Sequence, residues 1–417
     1  MRVLLSAYAC GPGIGSEPGV GWNWSTELAR LGHEVVVITR SINRNLIEKA
    51  LAKAPIAGLS FYHYDLPSWA EWGDRKNRGV YLHYWLWQRG AYRLAKRLTS
   101  KTQFDLVHHV TFGVFRQPSY MGRLGLPFVV GPLGGGEVTP ASLRGSFPTG
   151  PAFVEKFREV SNKLAFRDPS VPAMFRQATV IFCKTRETLA ILPAVSLEKA
   201  RLHLEIGLEP HRIRQETVAP ESSADFLYAG RLVYWKGLHL ALKALSQLRA
   251  KLPNATLTVI GGGKDEAQLK KLSVALGLQD SVRWLGRVAH EEIWARYCRY
   301  TALVFPSMHD SSGNVVLEAF SQGLPVICLD TGGPGAIVPP TCGIKVAVEN
   351  RNEAEVVSDL AAAMQKLAEH PEFRAQMGHR ALEFAKVSTW RDVVSSAYAH
   401  IGNTLHASEN CRTDRTD

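Results

Sequence analysis

Cysteine is scarce in this chain, with six residues in 417, at positions 10, 183, 298, 328, 342 and 411. No CxxC pair occurs, and no histidine stands at metal-ligand spacing from any of them. That excludes a disulfide scaffold and a cysteine-built metal centre, and it fits reduced thiols in a reducing compartment. Long apolar runs are also missing: none approaches the roughly 20 residues that a membrane-spanning helix needs. Glycine (35) and proline (22) are too few for a collagen-like or low-complexity chain. The opening MRVLLSAYAC carries one Arg and a short apolar run, and glycine-rich sequence follows at once. It reads as a first strand, not as an export signal. These absences leave a soluble, cytoplasmic protein of two or three domains, at roughly 100–200 residues each.

Acidic residues are in deficit in one half only. The net charge is +11, yet residues 1–222 hold 28 Lys and Arg against 18 Asp and Glu, while residues 223–417 hold 21 against 20. A basic first half implies an anionic partner there: nucleic acid, lipid headgroups or a phosphorylated substrate. The densest stretch is 69–101, with Arg75, Lys76, Arg78, Arg89, Arg93, Lys96, Arg97 and Lys101 interleaved with Trp69, Trp72, Tyr81, Tyr84, Trp85, Trp87 and Tyr92. That composition suits a helix lying on an anionic membrane surface. It equally suits a helix that packs its apolar face on the core and leaves its cations solvated. No recognised nucleic-acid-binding motif is present, so nucleic acid is not expected as a partner.

Short apolar runs alternate with helical patterns, which argues for parallel α/β architecture. Strands are expected at Arg2–Ala7, Glu34–Thr39, Leu59–Tyr62, Leu106–His109, Pro127–Val130 and Thr179–Cys183. A second set is expected at Phe226–Tyr228, Thr256–Ile260, Val282–Leu285, Leu303–Phe305 and Val326–Cys328. Helical patterns include Leu238–Lys251, Asp265–Leu276, Glu353–Glu369 and Glu372–Ala385. A polar, proline-bearing stretch at 209–224 marks the linker. The predicted organisation is a first domain over 1–208, a second over 225–385, a C-terminal helix over 386–405 that packs back on the first domain, and a polar, frayed tail over 406–417. Both domains are doubly wound and Rossmann-like, facing each other across a cleft, with ligands at the carboxyl ends of the strands.

Four motifs sit at such strand ends. Gly11-Pro-Gly-Ile-Gly-Ser-Glu-Pro-Gly-Val-Gly21 follows the first strand. Its spacing is not GxGxxG, and the second strand is followed by Arg40 and not an acid, so a dehydrogenase is disfavoured and a ligand-facing loop is expected. Gly230-Arg231-Leu-Val-Tyr-Trp-Lys236-Gly237 offers two cations directly after a strand, which suits a diphosphate better than an ordinary solvated turn. Ile260-Gly-Gly-Gly263-Lys264 lacks the GKS or GKT ending of a P-loop. His309-Asp310-Ser-Ser312-Gly313-Asn314-Val-Val-Leu-Glu318 opens a helix. Its carboxylates are suited to sugar hydroxyls, although Asp310 also reads as a plain helix cap.

GRLVYWKG, IGGGKDEAQL, LGRV and PSMHDSSGNVVLEAFSQGLPVI together resemble the retaining GT-B glycosyltransferases of family 4. The likeness is strongest from about 225 to 340 and looser before that, where GHEVVVITR and FDLVHH look like the family's first domain. The resemblance implies transfer of a hexosyl unit from a UDP- or GDP-linked sugar, with retention, to a saccharide or polyprenyl-diphosphate-linked acceptor in cell-envelope or exopolysaccharide synthesis. It implies no cofactor and no metal, because Arg231 and Lys236 would hold the donor diphosphate. Asp310 takes the place of the first acid of the family's E-x7-E signature, near the donor sugar, and is one methylene shorter. Glu318 is similar to the second acid, which grips the ribose. Ser312 and the amides of Gly313 and Asn314 would bind phosphate or sugar, and Gly263, Arg287 and Val288 would line the nucleotide site. Gly15, Gly19 and Gly21 would close over the diphosphate from the acceptor side. Gly335 stands where the family's GG-x-P-E stretch has Glu. The family's H-x-H becomes His108-His109 here, so either ring is a candidate for the reaction centre, as is Glu137 on the acceptor side. An epimerase, a phosphorylase or a non-catalytic sugar-nucleotide sensor are the alternative readings.

Overall fold

Most of the apolar runs in this chain are followed by a helix that returns the chain to the same end of a sheet, so the strands pair in parallel. The computed structural model describes residues 1–68, 79–145, 149–218, 220 and 222–413. Within them the first sheet contains β1 (Arg2–Ser6), β2 (Glu34–Thr39), β3 (Leu59–His63), β4 (Leu106–His109), β5 (Phe128–Leu133), β6 (Val180–Cys183) and β7 (Ala200–Leu202). Their order is β3-β2-β1-β4-β5-β6-β7, parallel throughout. The second sheet contains β8 (Asp225–Ala229), β9 (Thr256–Ile260), β10 (Val282–Gly286), β11 (Leu303–Phe305), β12 (Val326–Leu329) and β13 (Gly343–Val346). Its order is β10-β9-β8-β11-β12-β13, again parallel. Each domain is thus a Rossmann-like α/β layer structure.

The predicted strands all form: β2, β4, β9 and β11 with their predicted bounds and the others with shifted ends. The expected Pro127–Val130 starts at Phe128 and runs on to Leu133. Two strands went unpredicted, β7 and β13, because Ala200-Arg-Leu and Gly343-Ile-Lys-Val are too short and too interrupted by cations to show a strand period.

The central strands are buried on both faces, so β2 and β12 read as continuous apolar runs without alternation, and β4 buries two histidines beside its Leu and Val. On one side of the first sheet, Leu4, Val107, Val130 and Ile181 form a core with Tyr84, Trp87, Ala91 and Ala95. Those last four recur at helical spacing in the helix Val80–Thr99 and define its inner face. Trp87 is fully buried, and its Nε1 donates to the Tyr64 carbonyl at 2.7 Å, so its burial contributes about 2–3 kcal/mol without stranding a donor. In the second sheet's layer, the helices Leu238–Arg249 and Glu353–Glu369 pack together. The latter starts with a capping box: the Asn352 side chain accepts from the Glu355 amide while Glu355 accepts from the Asn352 amide.

The chain divides into two compact units whose limits differ from the sequence-based ones. The first comprises Met1–Gly136, Ser161–Ile206 and the chain from Trp390 onward; the second comprises Glu137–Val160 and Gly207–Thr389. Glu137–Val160, expected in the first domain, groups with the second because the Glu155 and Tyr234 side chains bond there. The expected linker is bound to the second unit as well: the Arg214 amide donates to the Ser321 carbonyl, and Gln322 Nε2 donates to the Arg212 carbonyl. The C-terminal helix spans Trp390–Thr413, so residues 406–413 continue it where a frayed tail was expected. Its Val394, Ala397 and Ile401 are buried in the first unit, where it packs against the helix Glu17–Arg30.

Candidate active site

In the second unit, the carboxyl ends of the strands feed a set of loops stitched together by main-chain bonds. Gly230 donates to Ile260, Leu232 to Gly262, Met308 to Trp235 and Gly333 to Asp310, all at 2.7–3.1 Å. The strand order reverses between β8 and β11, and a crevice at such a reversal is where ligands settle in doubly wound sheets. Gly237 ends the loop after β8 with φ +72°, a left-handed conformation that L side chains adopt at a cost. A Cβ there would lie 1.8 Å from the Pro306 carbonyl oxygen, so only glycine fits. Gly313, at φ +63°, does the corresponding job at the start of the helix Asn314–Ser321.

The two cations expected on the diphosphate behave differently. Arg231 is exposed and has no acidic partner among the described residues. Lys236 is buried and forms an ion pair with Asp310. Asp310 Oδ1 also accepts from the amides of Ser312 and Gly313, each at 3.3 Å. Burial by itself pushes the Asp310 carboxyl up, but the Lys236 charge and hydrogen bond, with these two amides, hold it below the usual carboxylate range. Lys236, expected beside Arg231 on the donor diphosphate, is thus held by an acid of the same edge. It is neutralised by Asp310, because a buried ammonium requires a counter-charge.

The other expected contacts lie along the same edge. The Tyr297 hydroxyl, on a fully buried ring, donates to Glu318 Oε2 at 2.9 Å, which fixes the carboxylate. Arg287 and Asn314 are exposed, while Val288, Ser312 and Gly263 are partly covered. Gly263 lies against the Leu232 carbonyl, where a Cβ would come within 2.2 Å. Glu137 is buried. Three residues that the sequence reading missed complete the cluster: Tyr297, Glu155 and His309. Glu155 is fully buried; it pairs with Arg158 at 2.5 Å and accepts from the Thr139 amide and the Tyr234 hydroxyl, each at 3.4 Å. The Tyr234 amide in turn donates to Asp265 at 2.7 Å, so the loop carrying Arg231 is pinned from both sides. Glu155 had a local signal in its spacing to Arg158 and Glu159 on one helix. Tyr297 had none, because it meets Glu318 from another element.

In the first unit, β4 carries both candidate histidines inward. His108 Nδ1 lies 3.1 Å from the Tyr398 hydroxyl and Nε2 lies 2.9 Å from the Gly131 carbonyl; His109 engages Tyr84 at 2.9 Å and Ser6 at 3.3 Å. They are 0% and 1% exposed, so the expectation that one faces a reaction centre gives way to two packed strand residues. Burial pushes His108 down to about 4 and His109 down to about 3, which keeps both rings neutral. Gly19 and Gly21 are not in a loop but inside the helix Glu17–Arg30, pressed against the carbonyls of Ile14 and Ala9. Gly15 is exposed, with open space where a Cβ would be. Glu17 occupies the first turn of that helix and accepts from the Phe112 amide at 2.7 Å, which puts a carboxylate where an anion was expected.

Of the basic stretch 69–101, residues 69–78 lie outside the described residues. The helix that follows buries Tyr84 and Trp87 and exposes Tyr81, Leu82, Arg89, Arg93, Lys96 and Arg97. Arg89 stacks on Trp85 at 3.3 Å from the ring centre. Among the described residues, no helix is long and apolar enough to cross a membrane.

Residues 211–384 match the family model described as Glycosyl transferases group 1. Glycogen synthase of Mycobacterium tuberculosis is 33% identical over 163 residues, covering 39% of this chain and 37% of that protein. D-inositol 3-phosphate glycosyltransferase of Corynebacterium jeikeium is 30% identical over 188 residues, 43% of each chain. Alpha-D-kanosaminyltransferase of Streptomyces kanamyceticus is 29% identical over 181 residues, 42% of this chain and 45% of that one. The matches thus span less than half the length of these relatives. Among solved structures, the lipopolysaccharide outer core galactosyltransferase WaaB superposes with a TM-score of 0.63 at 13% identity, covering 98% of this chain and 100% of that one. HepE of Anabaena, solved with UDP and glucose, gives 0.57 at 15% identity over 97% and 99%. At such identities the likeness is one of fold, and that fold is GT-B.

Proposed function

We propose that this chain, whose residues 211–384 carry the group 1 glycosyltransferase pattern, moves a hexosyl unit from a nucleoside diphosphate sugar to a saccharide or lipid-linked acceptor with retention at the anomeric carbon. The observation that supports it most is Arg231: a guanidinium that is exposed and has no acidic partner among the described residues, at the strand-order reversal, on a loop held rigid by Asp265 and Glu155. Charge accumulates on the departing diphosphate, and fixed donors aimed at that charge lower the barrier. Arg231 supplies a two-pronged cation, and the first-turn amides of the helix Asn314–Ser321 supply dipoles of the same sign. Lys236 joins them once Asp310 shares its charge with an incoming sugar hydroxyl. Glu318, oriented by Tyr297, accepts from ribose hydroxyls. In this reading these groups neutralise the leaving group without a metal ion.

Donor-only thermal shift across UDP-, GDP- and ADP-sugars, repeated on Glu318→Ala, tests it. Ligand at about 100 times its dissociation constant stabilises the fold by roughly 2.7 kcal/mol. One nucleotide class shifting the wild type and not the variant is expected; no shift with any would overturn the donor assignment.

We further propose that the acceptor is met at an anionic membrane surface; the outward face of the helix Val80–Thr99, where Arg89, Arg93, Lys96 and Arg97 flank exposed Tyr81 and Leu82, supports this reading. Vesicles of phosphatidylcholine with phosphatidylglycerol should retain the protein and those of phosphatidylcholine alone should not. Equal retention by both would contradict this placement.

A further inference from the structure

His309 lies between the end of β11 and Asp310, on the loop that forms the centre of the second unit's ligand edge. Its ring is partly buried, and Nδ1 is enclosed with no hydrogen-bond partner among the described residues. The charged groups near it are Arg158, Glu137, Glu155 and Asp310. Two of these carboxylates already have strong partners. Asp310 holds Lys236 and two amides, and Glu155 holds Arg158, the Thr139 amide and the Tyr234 hydroxyl. A buried N–H without an acceptor is rarer in proteins than a buried acceptor lone pair without a donor. The favoured tautomer therefore keeps a lone pair on the enclosed Nδ1 and carries its hydrogen on Nε2. Burial and the neighbouring Arg158 outweigh the three carboxylates and lower the ring's pKa, so the neutral form persists. A neutral N–H donor among carboxylates is a poor partner for a phosphate, which Arg231 and the helix amides serve better. It is a good partner for a hydroxyl, which accepts from the imidazole and donates to a carboxylate at the same time.

We infer that His309 recognises the sugar of the donor, donating from Nε2 to one of its hydroxyl oxygens, and that it sets sugar specificity together with Asp310. The inference rests on the nucleotide-sugar reading above. His108 and His109 cannot share the task, because all four of their ring nitrogens are engaged inside the first unit.

The test is titration calorimetry on the wild type, His309→Leu and His309→Gln, with three pairs of probes: UDP and UDP-glucose, GDP and GDP-mannose, ADP and ADP-glucose. For the pair that the wild type binds, His309→Leu should bind the free nucleotide unchanged, which also certifies its fold, and bind the sugar nucleotide about ten-fold more weakly, as for one lost hydrogen bond. His309→Gln, which keeps an N–H donor, should recover most of that loss. Equal weakening of the free nucleotide would move the contact to the diphosphate and overturn the sugar assignment. Unchanged affinity for both probes would overturn any role for His309 in recognition. Absence of binding by the wild type to all six probes would overturn the nucleotide-sugar reading itself, and this inference with it.

Discussion

Replacing Lys236 with alanine removes the cation from a buried pair and leaves Asp310 behind. The side chains are 10% and 18% exposed, so solvent screens little of the loss. Breaking a buried pair from one side costs about 3–5 kcal/mol. The lower end applies here, about 3 kcal/mol, because Asp310 keeps the Ser312 and Gly313 amides, although at 3.3 Å both bonds are long. For a unit of about 200 residues, that loss lowers the melting temperature by roughly 6–12 °C. The pH dependence carries the diagnostic sign. In the wild type Asp310 is held below its unfolded value despite burial, so the pair's stabilisation is present above about pH 4 and is lost as pH falls through the folded value. In the variant burial is opposed only by two amides, and the carboxyl rises above its ordinary value. The penalty should therefore be largest at pH 7.5 and shrink toward pH 4.5, where Asp310 takes up a proton. Urea unfolding at both pH values, followed by tryptophan fluorescence, measures it. Lys236→Met, which retains most of the apolar stem, separates the charge from the packing. A penalty below about 0.5 kcal/mol, or one that does not change between the two pH values, would refute this reasoning.

Other outcomes follow from the same geometry. Arg231→Gln should reduce turnover by roughly 10²–10³-fold, as for one preorganised contact to developing charge, and leave the melting temperature unchanged because the side chain is exposed and has no acidic partner among the described residues. Initial rates alongside a melting curve check both halves. Gly237→Ala should destabilise the second unit by more than about 2 kcal/mol, since a Cβ 1.8 Å from the Pro306 oxygen forces main chain to move; urea unfolding reads this. His108 and His109 have folded-state values of about 4 and about 3, below the unfolded value near 6.5. Each therefore contributes stability above pH 6.5 that is lost at about 1.4 kcal/mol per unit as pH falls toward its folded value. His109→Gln should flatten that decline by one histidine's share, seen in unfolding curves between pH 7 and pH 4.5.

What the sequence disclosed depended on how local the signal was. β2, β4, β9 and β11 have their predicted bounds because their residues are buried on both faces and their neighbours turn at once. The two motifs at the carboxyl edge of the second sheet were legible as loops for the same reason: Gly230–Gly237 follows β8 directly, and His309–Glu318 runs from the loop after β11 into the helix Asn314–Ser321. What failed to show was pairing across distance. Lys236 and Asp310 are 74 positions apart, so sequence presents two independent site residues where the fold makes one neutral pair. His108 and His109 look like site residues because their chemistry suggests it, yet β4 lies in mid-sheet and its side chains meet the core on both faces. Glu137–Val160 precedes the second unit's strands by about 65 residues or more, and no periodicity reports which unit a segment joins.

The most direct measurement is the anomeric configuration of the first sugar released when the wild-type protein consumes a nucleotide sugar, read by proton NMR before mutarotation, with Arg231→Gln as control. Consumption of one of UDP-glucose, GDP-mannose or ADP-glucose is expected, with the donor's own anomer appearing first and the variant markedly slower. Release of the opposite anomer would contradict retention. No consumption of any of the three, with Arg231→Gln indistinguishable from wild type, would contradict the assignment of the second unit's carboxyl edge as a sugar-transfer site.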